Sequence, residues 1–237
     1  MAETSRSGDT LVDVGFDLPN LAASLKQRNT KIVAFGSSST AGMLQVVPYP
    51  ARLELLLRGA YGFQDIPGIG KSMVNVINRG VGGEEATTEI KRIQSDVIAE
   101  APALVIWQVG TNAVFRSKEF VFEAVVKAIA EGLSLLSEKL PKADVILMDS
   151  QYTTAVVTPE TKPHSEEMVK RIAELGRHFK VGVFRRWALM QPWNLAMREL
   201  VDPNDLLELH LSEWATQKVA QTLFDQIKKA LDKEAVT

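Results

Sequence analysis

The chain contains no cysteine. Disulfides, thiolate metal centres and cysteine nucleophiles are therefore excluded, while the absence suits an oxidising and a reducing compartment equally. Net charge is almost absent as well, since 27 basic and 29 acidic side chains leave −2 at neutral pH. Such a balance gives no electrostatic footprint for nucleic acid or for an anionic membrane. No apolar run approaches the ~20 residues that a bilayer crossing requires. The first ten residues, MAETSRSGDT, lack the apolar stretch of a secretory signal. The expected location is cytoplasmic if the chain is complete, and periplasmic or secreted if a signal peptide has been removed. Histidine is scarce, with three copies, so a general base working near neutral pH has few candidates.

What the chain does have is length and alternation. With 237 residues, 46% of them hydrophobic and 24% charged, it suits one sizeable α/β domain that buries roughly 70–75% of its unfolded surface. Strand-like apolar runs fall at Lys31–Phe35, Met73–Asn78, Leu104–Val109, Val145–Asp149 and Val181–Phe184. Helix-like segments lie between and after them, at Tyr49–Ala60, Thr87–Glu100, Lys118–Leu140, Ser165–Phe179 and Glu213–Lys233, with a shorter one around Trp187–Leu200. Nearly continuous apolar strands are those covered on both faces. Their alternation with helices predicts βαβ units, a parallel sheet and right-handed crossovers. Residues 1–30 read as a polar extension with a short helix at Leu21–Gln27, and residues 31–237 as a single domain. The loops at Val46–Tyr49, Phe63–Gly70 and Gln151–Pro163 are expected to shape a pocket at the sheet rim.

Four segments carry candidate chemistry. The run Ile32-Val33-Ala34-Phe35 stops at Gly36 and is followed by Ser37, Ser38, Ser39 and Thr40. Such a turn delivers hydroxyls to the carboxyl end of a strand, where open α/β sheets bind ligands. A serine there serves as a nucleophile, a phosphate cradle or a helix cap, although no G-x-x-x-x-G-K-[ST] or G-x-G-x-x-G pattern accompanies it. Asn78–Glu85 holds glycines at 80, 82 and 83. Its backbone N–H groups can face a developing oxyanion, or the glycines simply make a tight turn. Gly110-Thr111-Asn112-Ala113 offers a side-chain amide donor or an Asx-turn. His210 stands ahead of the last helix. His164 and His178 flank or end a helix and read as solvated, which leaves His210 as the candidate base.

In this order the motifs resemble the SGNH (GDSL-type) hydrolase superfamily, over residues 31–230. The resemblance implies an α/β fold, three-layer α/β/α and flavodoxin-like, with a central parallel sheet of about five strands. It implies a serine esterase that needs no metal or organic cofactor and acts on a small-molecule or carbohydrate ester, with the oligomeric state left open. Ser38 maps to the nucleophile, with Ser37 where the name-giving Gly-Asp-Ser motif has aspartate. Ser38, Gly83 and Asn112 map to the oxyanion hole and His210 to the base. The family's acid stands three residues before its histidine, and here that position is Leu207, which cannot orient an imidazole. Asp205 is the preferred substitute, brought into place by a bulge of two residues. Glu208 and Asp202 are the alternatives, as is a Ser–His dyad with a backbone carbonyl behind the ring. Leu207 equally suits a non-catalytic SGNH-like binding domain, and the serine turn a flavodoxin-like nucleotide binder.

Overall fold

The computed structural model describes residues 17–43, 45–193 and 200–234. In chain order the elements are α1 (Pro19–Leu25), β1 (Asn29–Gly36), α2 (Ser38–Ala41), α3 (Tyr49–Tyr61), β2 (Asp65–Ile66), β3 (Gly70–Lys71), β4 (Met73–Gly80), α4 (Ala86–Glu89) and α5 (Ile93–Asp96). They continue with β5 (Leu104–Gln108), α6 (Thr111–Phe115), α7 (Phe122–Lys139), β6 (Asp144–Met148), α8 (Lys162–Phe179), β7 (Gly182–Phe184), α9 (Arg186–Met190) and α10 (Glu213–Glu234).

β4, β1, β5, β6 and β7 form the main sheet in that spatial order, all parallel. The strands alternate their side chains between two cores. From β1, Ile32 and Ala34 join Leu53, Leu57, Val219, Leu223 and Ile227 of α3 and α10 on one face. Val33 and Phe35 join Val125, Ile129, Leu133, Met168 and Ile172 of α7 and α8 on the other. The result is a three-layer α/β/α sandwich. Counted along the chain, the main-sheet order is 2-1-3-4-5, the flavodoxin-like winding, whose ligand crevice opens where the strand order reverses, between β1 and β5.

Several segments depart from the sequence expectation. Thr87–Glu100 is not one helix. It breaks into α4, a tight turn at Ile90–Arg92, α5 and another tight turn at Ile98–Glu100. Six of its residues are β-branched, which weakens a continuous helix, and Arg92 turns inward to donate to the carbonyls of Arg79 and Gly36. The helix expected from Lys118 begins at Phe122, because Glu119 and Phe120 close a turn on the Arg116 carbonyl. The stretch expected as the loop Phe63–Gly70 carries β2 and the start of β3, a small antiparallel pair. Of the helix expected at Trp187–Leu200, α9 covers the first part, and residues 194–199 lie outside the described residues.

Candidate active site

β1 ends at Gly36 with φ +148°, and a Cβ there would stand 2.8 Å from both the Gln108 carbonyl and the Thr40 hydroxyl. Only glycine fits this turn. α2 follows at once, with Ser37 as its N-cap residue, but the Ser37 side chain makes no cap bond. Its hydroxyl and its N–H both donate to Gln108 Oε1, at 3.0 and 3.2 Å. The serine turn is thus anchored by a buried glutamine at the end of the neighbouring strand.

The next residue, Ser38, meets the chain's C-terminal region. Its Oγ lies 3.0 Å from His210 Nε2, and His210 Nδ1 lies 3.0 Å from Asp205 Oδ2. The same Oδ2 accepts the backbone N–H groups of Leu209 (2.9 Å) and His210 (2.6 Å), and Oδ1 accepts that of Leu207 (3.1 Å). Burial raises the Asp205 carboxyl, but these three donors and the adjacent imidazole outweigh it and hold it below the usual carboxylate range. Glu208 makes the loop close. It is left-handed, with φ +50°, so the segment is not extended and the Glu208 side chain is exposed to solvent instead of facing the ring. Asp202 Oδ1 accepts from Asn204. Leu207 is 55% exposed. Of the three nearby carboxylates, Asp205 is the one that reaches His210.

On the opposite side of Ser38 lies the glycine loop after β4. A Cβ at Gly82 would come within 3.9 Å of Ser38 Cβ. Gly83, with φ +79°, presents its carbonyl to Arg116 Nη1 at 3.1 Å. Asn112 donates from Nδ2 to the Glu84 carbonyl at 2.7 Å, which ties α6 to the same loop. Glu85 reinforces the tie. Its buried carboxylate accepts from Gly110 N and Ala113 N at 2.9 and 3.0 Å. Behind it, Glu89 accepts from Trp107 Nε1 at 2.7 Å. Burial, and then the Glu85 charge, push Glu89 well above the carboxylate range. Burial also raises Glu85, against the pull of its backbone donors.

A second brace spans the Ser38–His210 pair. Gln151, fully buried after β6, accepts from Ser39 Oγ at 2.8 Å and donates to the Leu209 carbonyl at 2.5 Å. Neither Glu85 nor Gln151 was singled out from the sequence. Their partners are largely backbone atoms, which leave no compositional trace.

Ser38 and His210 open onto a cavity of about 30 Å³ that Val46, Pro48, Tyr49 and Arg186 also line. Val47 is held at this edge by Glu213 and Arg52, which also pair with each other. Two loops expected at the pocket do not line it. Phe63–Gly70 precedes β4 and so lies at the amino ends of the strands, away from the carboxyl rim. Gln151–Pro163 folds under instead, burying Val156 against Val169, Trp187 and Leu209.

Beneath the cavity Asp149 is wholly buried, with Oδ1 accepting from Trp187 N at 2.8 Å. Burial pushes this carboxyl from 3.8 up to about 7. Between those values the folded chain keeps a proton that the unfolded chain has released. Stability from this group is therefore full below about pH 4 and is lost as pH rises through 7, by about 4 kcal/mol. Urea midpoints are expected to fall between pH 4.5 and 8, and Asp149→Asn to flatten that fall. A variant as pH-dependent as the wild type would contradict this.

The geometry can be set beside known proteins. A model of the non-GDSL lipase-like family matches residues 4–233. The chain belongs to that family. The name agrees with a serine turn that lacks the aspartate of Gly-Asp-Ser, since Ser37 stands there. No curated protein matches the chain. Among solved structures, the lipase/acylhydrolase from Enterococcus faecalis superposes with a TM-score of 0.68 at 24% identity, covering 84% of this chain and 96% of that one. A catalytic mutant of the acetylxylan esterase Axe2 from Geobacillus stearothermophilus gives a TM-score of 0.64 at 17% identity, covering 84% and 94%. Catalytic mutants of Axe2 alter a serine, a histidine and an aspartate. At these identities the shared property is the fold.

Proposed function

We propose that this non-GDSL lipase-like chain is a serine esterase that hydrolyses carboxylic esters of small acyl groups through an acyl-enzyme on Ser38. The observation that carries the reading is the continuous relay from Ser38 Oγ through His210 to Asp205, with both steps at 3.0 Å. His210 Nδ1 keeps its proton toward Asp205, which leaves Nε2 as the acceptor for the Ser38 hydroxyl proton. Ser38 Oγ attacks the ester carbonyl, and the oxyanion faces the N–H groups of Ser38 and Gly83 and the Asn112 amide. Each such donor is typically worth ~3 kcal/mol in the transition state. Imidazolium returns its proton to the departing alcohol. Water, deprotonated by His210, then releases the acid and restores Ser38. The Asp205 contact with His210 supports this reading over a non-catalytic one suggested by Leu207.

The acetylxylan-active neighbour is consistent with an acetylated carbohydrate as one such ester.

A fluorophosphonate probe tests the mechanism, because its phosphorus accepts a covalent bond only from an activated serine. The expected product is a single adduct on the peptide carrying Ser38, found by mass spectrometry. An unlabelled protein, or an adduct confined to another serine, would overturn the reading.

A further inference from the structure

Glu85 is a buried carboxylate, 2% exposed, that takes no part in the ester chemistry. It joins the two segments that carry Gly83 and Asn112. Oε1 accepts from Ala86 N at 3.0 Å and from Gly110 N at 2.9 Å. Oε2 accepts from Gly110 N at 3.1 Å and from Ala113 N at 3.0 Å. Burial raises the carboxyl, and the N–H groups of Gly110, Ala86, Ala113 and Asn112 pull against it. A carboxylate is the group that such a set of donors stabilises.

These donors belong to the starts of two short helices. The first N–H groups of a helix have no partner inside it. α4 begins three residues after Gly83, and Glu85 caps it as its own N-cap residue. α6 carries Asn112 in its first turn, and its N-cap residue is Gly110, which has no side chain to cap with. Glu85 supplies that acceptor from the other segment. The two α6 residues that it binds, Gly110 and Ala113, flank Asn112 on either side. Asn112 in turn donates from Nδ2 to the Glu84 carbonyl at 2.7 Å, which leaves the second hydrogen of that amide for another acceptor. The placement of the Asn112 amide relative to the glycine loop therefore depends on one carboxylate.

We propose that Glu85 is a positioning residue for the reaction, holding the Asn112 amide where it and the Gly83 N–H meet the same oxyanion. The inference rests on the esterase reading of Ser38 and extends it to a side chain that touches no substrate. Donors stabilise an oxyanion only from the right place, and a misplacement of ~1 Å can cost ~10²-fold in rate.

The test measures kcat and KM for 4-nitrophenyl acetate in wild type, Asn112→Ala, Glu85→Gln and the double variant. Asn112→Ala is expected to lower kcat about 10²–10³-fold, as loss of one oxyanion donor does. Glu85→Gln offers an acceptor on one side only. It is expected to lower kcat about 10–100-fold and to leave KM within about threefold. In the Asn112→Ala background the same change is expected to cost no more than about threefold, because the side chain it positions is gone. Glu85→Asp keeps a good N-cap for α4 but is one methylene too short to reach α6. It is expected to show the same loss of kcat, and it carries the test if the glutamine variant does not fold. An equal loss in both backgrounds, a change in KM alone, or no loss at all overturns this inference and leaves the esterase reading standing. So does an Asn112→Ala variant with wild-type kcat whose Ser38 still takes the phosphonate. If the wild type neither turns over the ester nor is labelled at Ser38, the esterase reading falls and this inference with it.

Discussion

Replacing Ser38 by alanine is expected to lower kcat for 4-nitrophenyl acetate by about 10⁶-fold, the loss seen when a triad serine is removed from a serine hydrolase. The side chain sits almost wholly inside the protein, at 7% exposure. Its hydroxyl is hydrogen-bonded to His210. Alanine keeps Cβ, so the packing against Gly82 and the start of α2 is unchanged. What disappears is the atom that would bond to the acyl group. The remaining donors still face the carbonyl, so a residual rate about 10³–10⁴-fold over water is expected. Circular dichroism should show the same melting temperature within a few degrees. A variant that retains a tenth of wild-type turnover would exclude Ser38 as the nucleophile.

Asp205→Asn is expected to cost about 10⁴-fold in kcat at neutral pH, the effect of the same change in a Ser-His-Asp triad. The carboxylate accepts four N–H groups, three at Oδ2 and one at Oδ1. An asparagine can accept on one side only. If its oxygen faces His210, its NH₂ opposes the Leu207 N–H. If the amide turns round, its NH₂ faces the ring and forces the proton onto Nε2, where it blocks abstraction from Ser38. Either arrangement removes the charge that stabilises imidazolium. Glu208→Gln, at an exposed side chain that does not face the ring, supplies the comparison and is expected to stay within threefold of wild type. A loss at position 208 as large as that at 205 would reassign the acid.

The five main strands were legible to within two residues at each end. Each is an apolar run closed by glycine, proline or a polar turn, and a doubly covered strand admits little else. The order of the chemical motifs at their ends was legible for the same reason. Asp205 was harder. Its distance of five residues from His210 works only because Glu208 adopts a left-handed backbone, and glutamate carries no local preference for that conformation. The breaks after α4 were hidden because helical periodicity survives them. Gln151 and Glu85 were out of reach, since each acquires its role by reaching a neighbour whose sequence position says nothing about it. The placement of Phe63–Gly70 was recoverable from topology alone, since a loop that enters a strand lies at its amino end.

Asp205 and His210 are bound to one another inside a single six-residue loop, by backbone as well as by side chains. Ser38 is held to them by one side-chain contact and by the Gln151 brace. Any displacement that carries the histidine away from the serine carries its aspartate too, so the imidazole keeps the same tautomer in both positions. The base would then arrive at the nucleophile already oriented, and opening of this end of the molecule would interrupt the reaction without disassembling the pair that drives it.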